Sequence, residues 1–251
     1  MSIRIYPKIE CRAPTPASRA VRLIATIGLV LFAAACTQTK VFVSDTELPE
    51  ISGTARVLLM PSDVQVSELT AAGLLEPNAA WTASARTNIE TALNSLMSGR
   101  NARLVHYRSA TGDDSIDESH LQAFKLHEAV GATILVHKYV PAMALPTKKD
   151  KFDWSMGEAA TVLRHSFDAD YALFVYFRDS FASSGRAALI IFSALLGVGI
   201  PGGQQTGFAS LVDLRSGDVI WFNHLFTETG DLRKPDSAHS ATESLLKNLP
   251  L

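Results

Sequence analysis

The run DYALFVYF (170–177) is apolar on both alternating faces from Tyr171 onward. A strand with one wet face alternates; a strand with no polar face belongs in the middle of a sheet covered on two sides. That stretch therefore demands helices for both faces of the sheet, and the surrounding spacing supplies them. TARVLLM (54–60) reads as a compact apolar strand closed by Pro61 and Ser62-Asp63, and a loop holding Gly73 and Pro77 follows. Trp81, Ala85, Ile89, Ala92, Leu93 and Leu96 then recur at helical spacing, with Gly99 as a C-terminal stop. ARLVHY (102–107) is the next strand, and ATGDDSIDES an acidic loop.

SHLQAFKLHEAVGATILVHKYV (119–140) admits two readings. Ala123, Leu126, Val130, Ile134 and His137 fit one long helix, whereas Gly131 would end it early and leave 133–140 as a strand; the spacing favours the helix. Ser155 and Glu158 form a capping-box pattern that opens a helix through Val162, Leu163 and Phe167. In GFASLVDLRSGDVIWFNHL (207–225), two alternating runs flank Ser216-Gly217, a β-hairpin. A last helix starts near Ser237, with Ala238, Ala241, Leu245 and Leu246 inward. The expected architecture is α/β (α+β): a single mixed sheet flanked by helices, ending in a β-hairpin and a final helix, over residues 54–251.

The first 35 residues belong to something else. Arg4, Lys8, Arg12, Arg19 and Arg22 stand against one acid, Glu10, before the uncharged run Leu23 to Ala35. Thirteen residues fall short of the ~20 a transmembrane helix needs, and the pattern is that of a secretory signal. Small residues Ala33, Ala34 and Ala35 precede Cys36, which resembles the lipobox of bacterial lipoproteins. The resemblance implies cleavage after Ala35 and acylation of Cys36 with diacylglycerol and a further acyl chain such as palmitate. An ordinary signal peptide before a cysteine, or an uncleaved anchor, are the alternatives. Cys11 would be lost with the leader, so the mature chain has no second thiol for a disulfide. Residues 36–53 read as a lipidated tether. Thr37, rather than Asp, after the cysteine points by the enteric sorting pattern to the outer membrane, with the domain facing the periplasm.

Charge excludes some partners. Of 23 basic and 25 acidic residues the leader holds five and one, which leaves 18 against 24 and a formal charge of −6 on the mature chain. A mildly acidic domain has no electrostatic footprint for nucleic acid and no general attraction to anionic lipid. Chemistry-bearing motifs are equally scarce. Gly197, Gly199 and Gly202 spell G-x-G-x-x-G, but they follow an apolar run and precede a strand, the reverse of a dinucleotide site. They read as a bend. His127-Glu128 lacks the second histidine of H-E-x-x-H, and Asp113, Asp114 and Asp117 miss the calcium-loop spacing. No cofactor, metal site or catalytic residue is expected.

The element order, the leader and VDLRSGDVIWFNHL together resemble a group of envelope lipoproteins that includes the curli secretion channel lipoprotein, with a core similar to the amino-terminal domain of TolB. Asp213, Ser216-Gly217 and Trp221 match the strand–turn–strand that recurs there before a final helix. The resemblance implies a ring-forming or partner-binding lipoprotein rather than an enzyme. SSGRAALIIFSALLGVGIPGG (183–203) departs from it: Ala187 to Ile200 carry no charge and no alternation, unlike the barrel hairpins of a pore. The run reads first as a helix closing one face of the sheet, and second as a helix offered to a neighbouring subunit or the membrane surface, through Leu189, Ile190, Phe192 and Leu195. Asp179 and Arg186 are the polar candidates beside it, for a partner group or, preferably, as an ion pair bridging a loop. The function expected is that of a non-enzymatic envelope protein acting through protein contacts, as a homo-oligomer or an accessory to an envelope assembly. The alternative is a periplasmic module that binds a small apolar or lipid ligand, with 187–200 as lid.

Overall fold

The computed structural model describes residues 38–44, 54–108, 114–148 and 151–251. Thr37–Leu251 forms one compact unit. The leader, Ala35, Cys36, Asp113 and most of the expected tether lie outside the described residues. In chain order the elements are β1 (Gln38–Val43), β2 (Ala55–Leu59), β3 (Asp63–Leu69), β4 (Leu75–Pro77), α1 (Ala79–Ser98), β5 (Ala102–His106), α2 (Asp114–Tyr139), α3 (Thr161–Phe167), β6 (Tyr171–Ala182), α4 (Ser184–Leu195), β7 (Gln205–Asp213), β8 (Val219–Thr227) and α5 (Pro235–Leu245). The eight strands make one open mixed sheet in the order β1-β8-β7-β6-β2-β5, with β3 also beside β6 and β4 beside β3.

β6 is the central strand its sequence requires. Tyr171, Leu173, Val175 and Phe177 face the layer made by α1 and α5, where they bury with Ile89, Leu93, Met97 and Leu245. Ala172 and Phe174 face the opposite layer, with Ile134 of α2, Leu163 of α3 and Phe152. Full burial of each large side chain stabilises the fold by about 1.5–3 kcal/mol. Helix α1 begins where the Asn78 side chain accepts from the Trp81 amide (3.0 Å) and stops at Gly99. The hairpin and the final helix form as the sequence implies, and α2 is one helix through 133–139.

Gly131 is what allows that helix. Instead of ending it, the glycine lets the helix backbone rest on the sheet, because a Cβ there would lie 2.3 Å from Phe208. The buried stripe of α2 is accordingly His120, Ala123, His127, Gly131 and Ile134, while Leu126, expected inside, is 37% exposed.

Four expectations are corrected. Of the acidic stretch read as a loop, Asp114 to Ser119 belong to α2. The loop after Pro61 contains β3 and β4; β3 runs parallel to β6 from Asp63 opposite Tyr176 to Leu69 opposite Ala182. The segment read as tether supplies β1, an edge strand antiparallel to β8, with Gln38 opposite Phe226 and Val43 opposite Trp221. Ser155 is not the helix cap: its hydroxyl accepts from the Gly157 amide (2.9 Å), Gly157 turns the chain with φ +59°, and a 3-10 turn over Gly157–Ala160 leads into α3 at Thr161.

β2 and β3 are two segments of one line along β6, but their registers differ. Leu59 stands opposite Leu173 and Asp63 opposite Tyr176, so four steps on one strand match three on the other across Met60-Pro61-Ser62. Pro61 cannot donate to the ladder and suits such a bulge.

Candidate interaction surface

One end of the sheet gathers four chain ends. β6 finishes there at Ala182, β7 starts at Gln205, β8 finishes at Thr227 opposite Gln205, and β1 starts at Gln38 opposite Phe226. The β3–β4 turn closes at the same end, with Leu69 opposite both Ala182 and Leu75.

Helix α4 departs from this end. The Ser183 amide donates to the Leu69 carbonyl (2.9 Å), and the Ser183 hydroxyl accepts from the Arg186 amide (3.2 Å), a side-chain N-cap. Arg186 then folds beneath the helix and donates Nε and Nη2 to the Pro201 carbonyl (3.1 and 3.0 Å), holding the return loop against the helix base. The inward positions of α4 are thus Arg186, Ile190 and Ser193, two of them polar, with Ser193 donating to the Ile190 carbonyl (3.0 Å).

The outward positions are apolar. Ile191 is 67% exposed, Phe192 62% and Leu195 80%, and Leu189, Leu196 and Val198 are exposed with them. Leu74 and Leu75, in the β3–β4 turn, add to the same end, where Ala71 lies beside Gly185. Among the described residues, eight of the fourteen large apolar side chains that face solvent lie in these two segments, so the exposure is concentrated and not scattered. An amphipathic surface helix turns its apolar stripe inward; α4 is inverted. Leaving each of those side chains in water forgoes about 1.5–3 kcal/mol relative to full burial.

The expected site residues separate here. Leu189, Phe192 and Leu195 share the exposed face, whereas Ile190 is half-buried against Gly202. Asp179 and Arg186 make no ion pair: Arg186 binds Pro201, and Asp179 lies on the sheet with its carboxylate accepting from the Ser180 amide (2.8 Å), the Leu232 amide (3.1 Å) and Gln205 Nε2 (3.2 Å). Burial pushes the Asp179 pKa up to about 6 against those three donors, and the neighbouring Asp231 carboxylate adds to the rise. Helix closure of one sheet face, the first reading of 183–203, does not occur either. The glycines after α4 do make a bend; Gly203, at φ +150°, passes so close to Ser180 that a Cβ would meet its carbonyl oxygen at 2.2 Å.

Sequence reading missed two contributors. Leu74-Leu75 gave a signal, adjacent leucines after a loop glycine. Arg233 gave none: held by Asp231 (2.7 and 3.0 Å), it stacks over Phe181 (3.8 Å to the ring centre) and Trp81 (4.5 Å), and so closes the α1/α5 core next to Asp179.

A cleft of about 480 Å³ lies elsewhere, lined by Met60, Pro61, Tyr107, Glu118, His120, Leu121 and Phe124. It is not under residues 187–200, the segment expected as a lid, whose large apolar side chains face solvent. Among the described residues no three His, Cys, Asp or Glu side chains converge as a metal would need, and no helix is long and apolar enough to cross a membrane.

No family model matches the sequence, and no curated protein does. Among solved structures, the chain is similar to the PelC dodecamer from Paraburkholderia phytofirmans, at 13% identity over 84% of this chain and 95% of that one, with a TM-score of 0.38. A variant of that dodecamer in another crystal form gives 14% identity, 84% and 96% coverage and a TM-score of 0.37. At these scores neither likeness carries a role across to this chain.

Proposed function

We propose that this protein is a lipid-anchored component of the bacterial envelope, attached through Cys36 after cleavage at Ala35, that works by contact and not by catalysis. The observation that carries this reading is the inverted helix α4, a concentrated apolar surface at the sheet end where the strand following Cys36 begins. The leader supports outer-membrane localisation with the domain in the periplasm. Self-association, or docking on an envelope partner, has three routes in the fold: among the described residues no strand pairs with the outer edge of β1, β4 or β5. Open edges of this kind are templates for strand addition.

The test is intact mass of the protein extracted from membranes, beside a Cys36→Ala variant, with crosslinking in intact cells. The expected mass is that of residues 36–251 plus acyl chains, absent from the variant, with crosslinked multimers for the parent. An unacylated chain starting elsewhere sinks the anchor, and a strict monomer sinks the assembly.

A second reading rests on the Met60–Phe124 cleft, whose size and apolar lining suit a small hydrophobic ligand. Under it, an environment-sensitive apolar dye binds the domain saturably, and Leu121→Arg abolishes the signal without changing the unfolding midpoint. Dye fluorescence indifferent to that substitution removes the reading.

A further inference from the structure

We infer that the exposed face of α4, with the Leu74-Leu75 turn, rests on the lipid bilayer, so that the domain holds the membrane at two points, the acyl chains on Cys36 and this helix. The inference deepens the reading above and rests on it. Three observations fix the occupant as lipid and not a second copy of the chain. First, Cys36 is two residues from Gln38, a reach of at most about 7 Å, and Gln38 starts β1 at the sheet end from which α4 leaves and to which its loop returns. Acyl chains on that cysteine bring this end of the sheet, and no other, to the bilayer surface. Second, α4 is about 18 Å long at 1.5 Å per residue and has no charge on its outer face, where Ile191, Phe192 and Leu195 stand clear of the protein. It is too short to cross the membrane and apolar enough to lie in its interface. Third, its one charged residue, Arg186, is turned inward and bound to Pro201, so no cation faces outward to seek an anionic headgroup.

That last point separates this helix from the common basic interfacial kind, whose binding depends on anionic lipid and weakens with salt. With a mature charge of −6, apolar insertion alone would hold α4, indifferent to salt and no stronger on anionic than on zwitterionic lipid. The two attachments then divide the work. Two or more acyl chains on Cys36 already anchor stably; the helix fixes which way the domain faces.

The experiment uses the unlipidated Thr37–Leu251 domain, which is a compact unit carrying the whole core described above. It is floated with vesicles of phosphatidylcholine alone, and with vesicles containing phosphatidylglycerol, at low and high salt. The expected result is flotation with both, unchanged by salt, and about a hundredfold weaker or more for Phe192→Ser/Leu195→Ser, as loss of two buried apolar side chains implies. Unfolding midpoints of the two proteins should agree, since both side chains face solvent. The proposal is overturned if the parent domain stays unbound with every vesicle, or if the double variant floats equally well. Self-association of the parent in light scattering, abolished by the same variant without flotation, also overturns it in favour of a second copy. Because the domain lacks Cys36, these outcomes are independent of whether acylation is found by mass.

Discussion

Gly131→Ala should destabilise the Thr37–Leu251 domain by about 2 kcal/mol or more in urea denaturation, although alanine is the better helix former. Propensity alone would stabilise α2 by about 1 kcal/mol. Against that, the new Cβ would lie 2.3 Å from Phe208 Cε2 and 2.5 Å from Cζ. The Phe208 ring has no way to retreat: it stacks on Tyr176 (4.6 Å between ring centres) and Phe222 (5.4 Å) and is itself fully buried. Overpacking of this kind costs about 1–3 kcal/mol, and more when the helix must lift from the sheet. Gly131→Val should prevent folding. Gly99→Ala is the control, since nothing lies within 4 Å of a Cβ there and its backbone is right-handed. An equally stable Gly131→Ala protein would mean that α2 is not seated on the sheet at Phe208.

Acid should unfold the domain well before its carboxylates alone would require. His127 is buried between α2 and the sheet, stacked on Phe174 (3.9 Å between ring centres) and hydrogen-bonded to the Ser210 hydroxyl. Burial lowers its pKa to about 3, and lowers that of half-buried His224 to about 4. The unfolded chain takes up protons on these rings below about pH 6.5, where the folded chain does not. The stability they contribute is therefore complete above pH 6.5 and is lost as pH falls towards the folded values. For His127 the loss reaches about 3 kcal/mol by pH 4, and less for His224, whose exposure brings screening.

Asp179 acts with the opposite sign. Its carboxyl, pushed up to about 6, stays protonated in the folded state where the unfolded chain has ionised, so it adds stability as pH falls through 6 and offsets part of the loss. The net expectation is a loss of a few kcal/mol between pH 6.5 and 4, measured by urea titrations at each pH. His127→Gln keeps a hydrogen-bonding partner for Ser210 and should remove about half of that slope. A slope untouched by the substitution would show that His127 is not the buried neutral group described.

What the sequence disclosed depended on whether the physics was local. β6 was legible because burial on two sides leaves an unbroken apolar run, and the β7–β8 hairpin because its turn chemistry sits between two alternating runs. The length of α2 was legible from spacing, but the role of Gly131 was not, since a glycine that ends a helix and one that admits a sheet look alike in one dimension. Asp179 and Arg186 stand seven positions apart and suggested a pair. One is on a strand facing α1 and α5 and the other beneath α4, so their separation along the chain says nothing about contact. The uncharged run 187–200 announced a helix without saying which way it faced. Only the places of Arg186 and Ser193 on the inner side reveal that it is inside out.

The bulge at Met60-Pro61-Ser62 bears on how this chain can change length. Before it, odd-numbered residues Val57 and Leu59 face α1 and α5; after it, even-numbered Val64 and Val66 do. The extra residue works as a change of phase, which is also why 55–69 does not read as one strand. A deletion of Ser62 would look like the trimming of a loop. In fact it would remove the extra residue and join β2 to β3 as one regular strand: Leu59 and Asp63 would then lie three steps apart, as Leu173 and Tyr176 do, and Val64 and Val66 would stay on the α1 layer. Loss of one residue at these three positions should therefore be tolerated, whereas loss of one residue within β3 itself would send every later residue of that strand to the other side of the sheet.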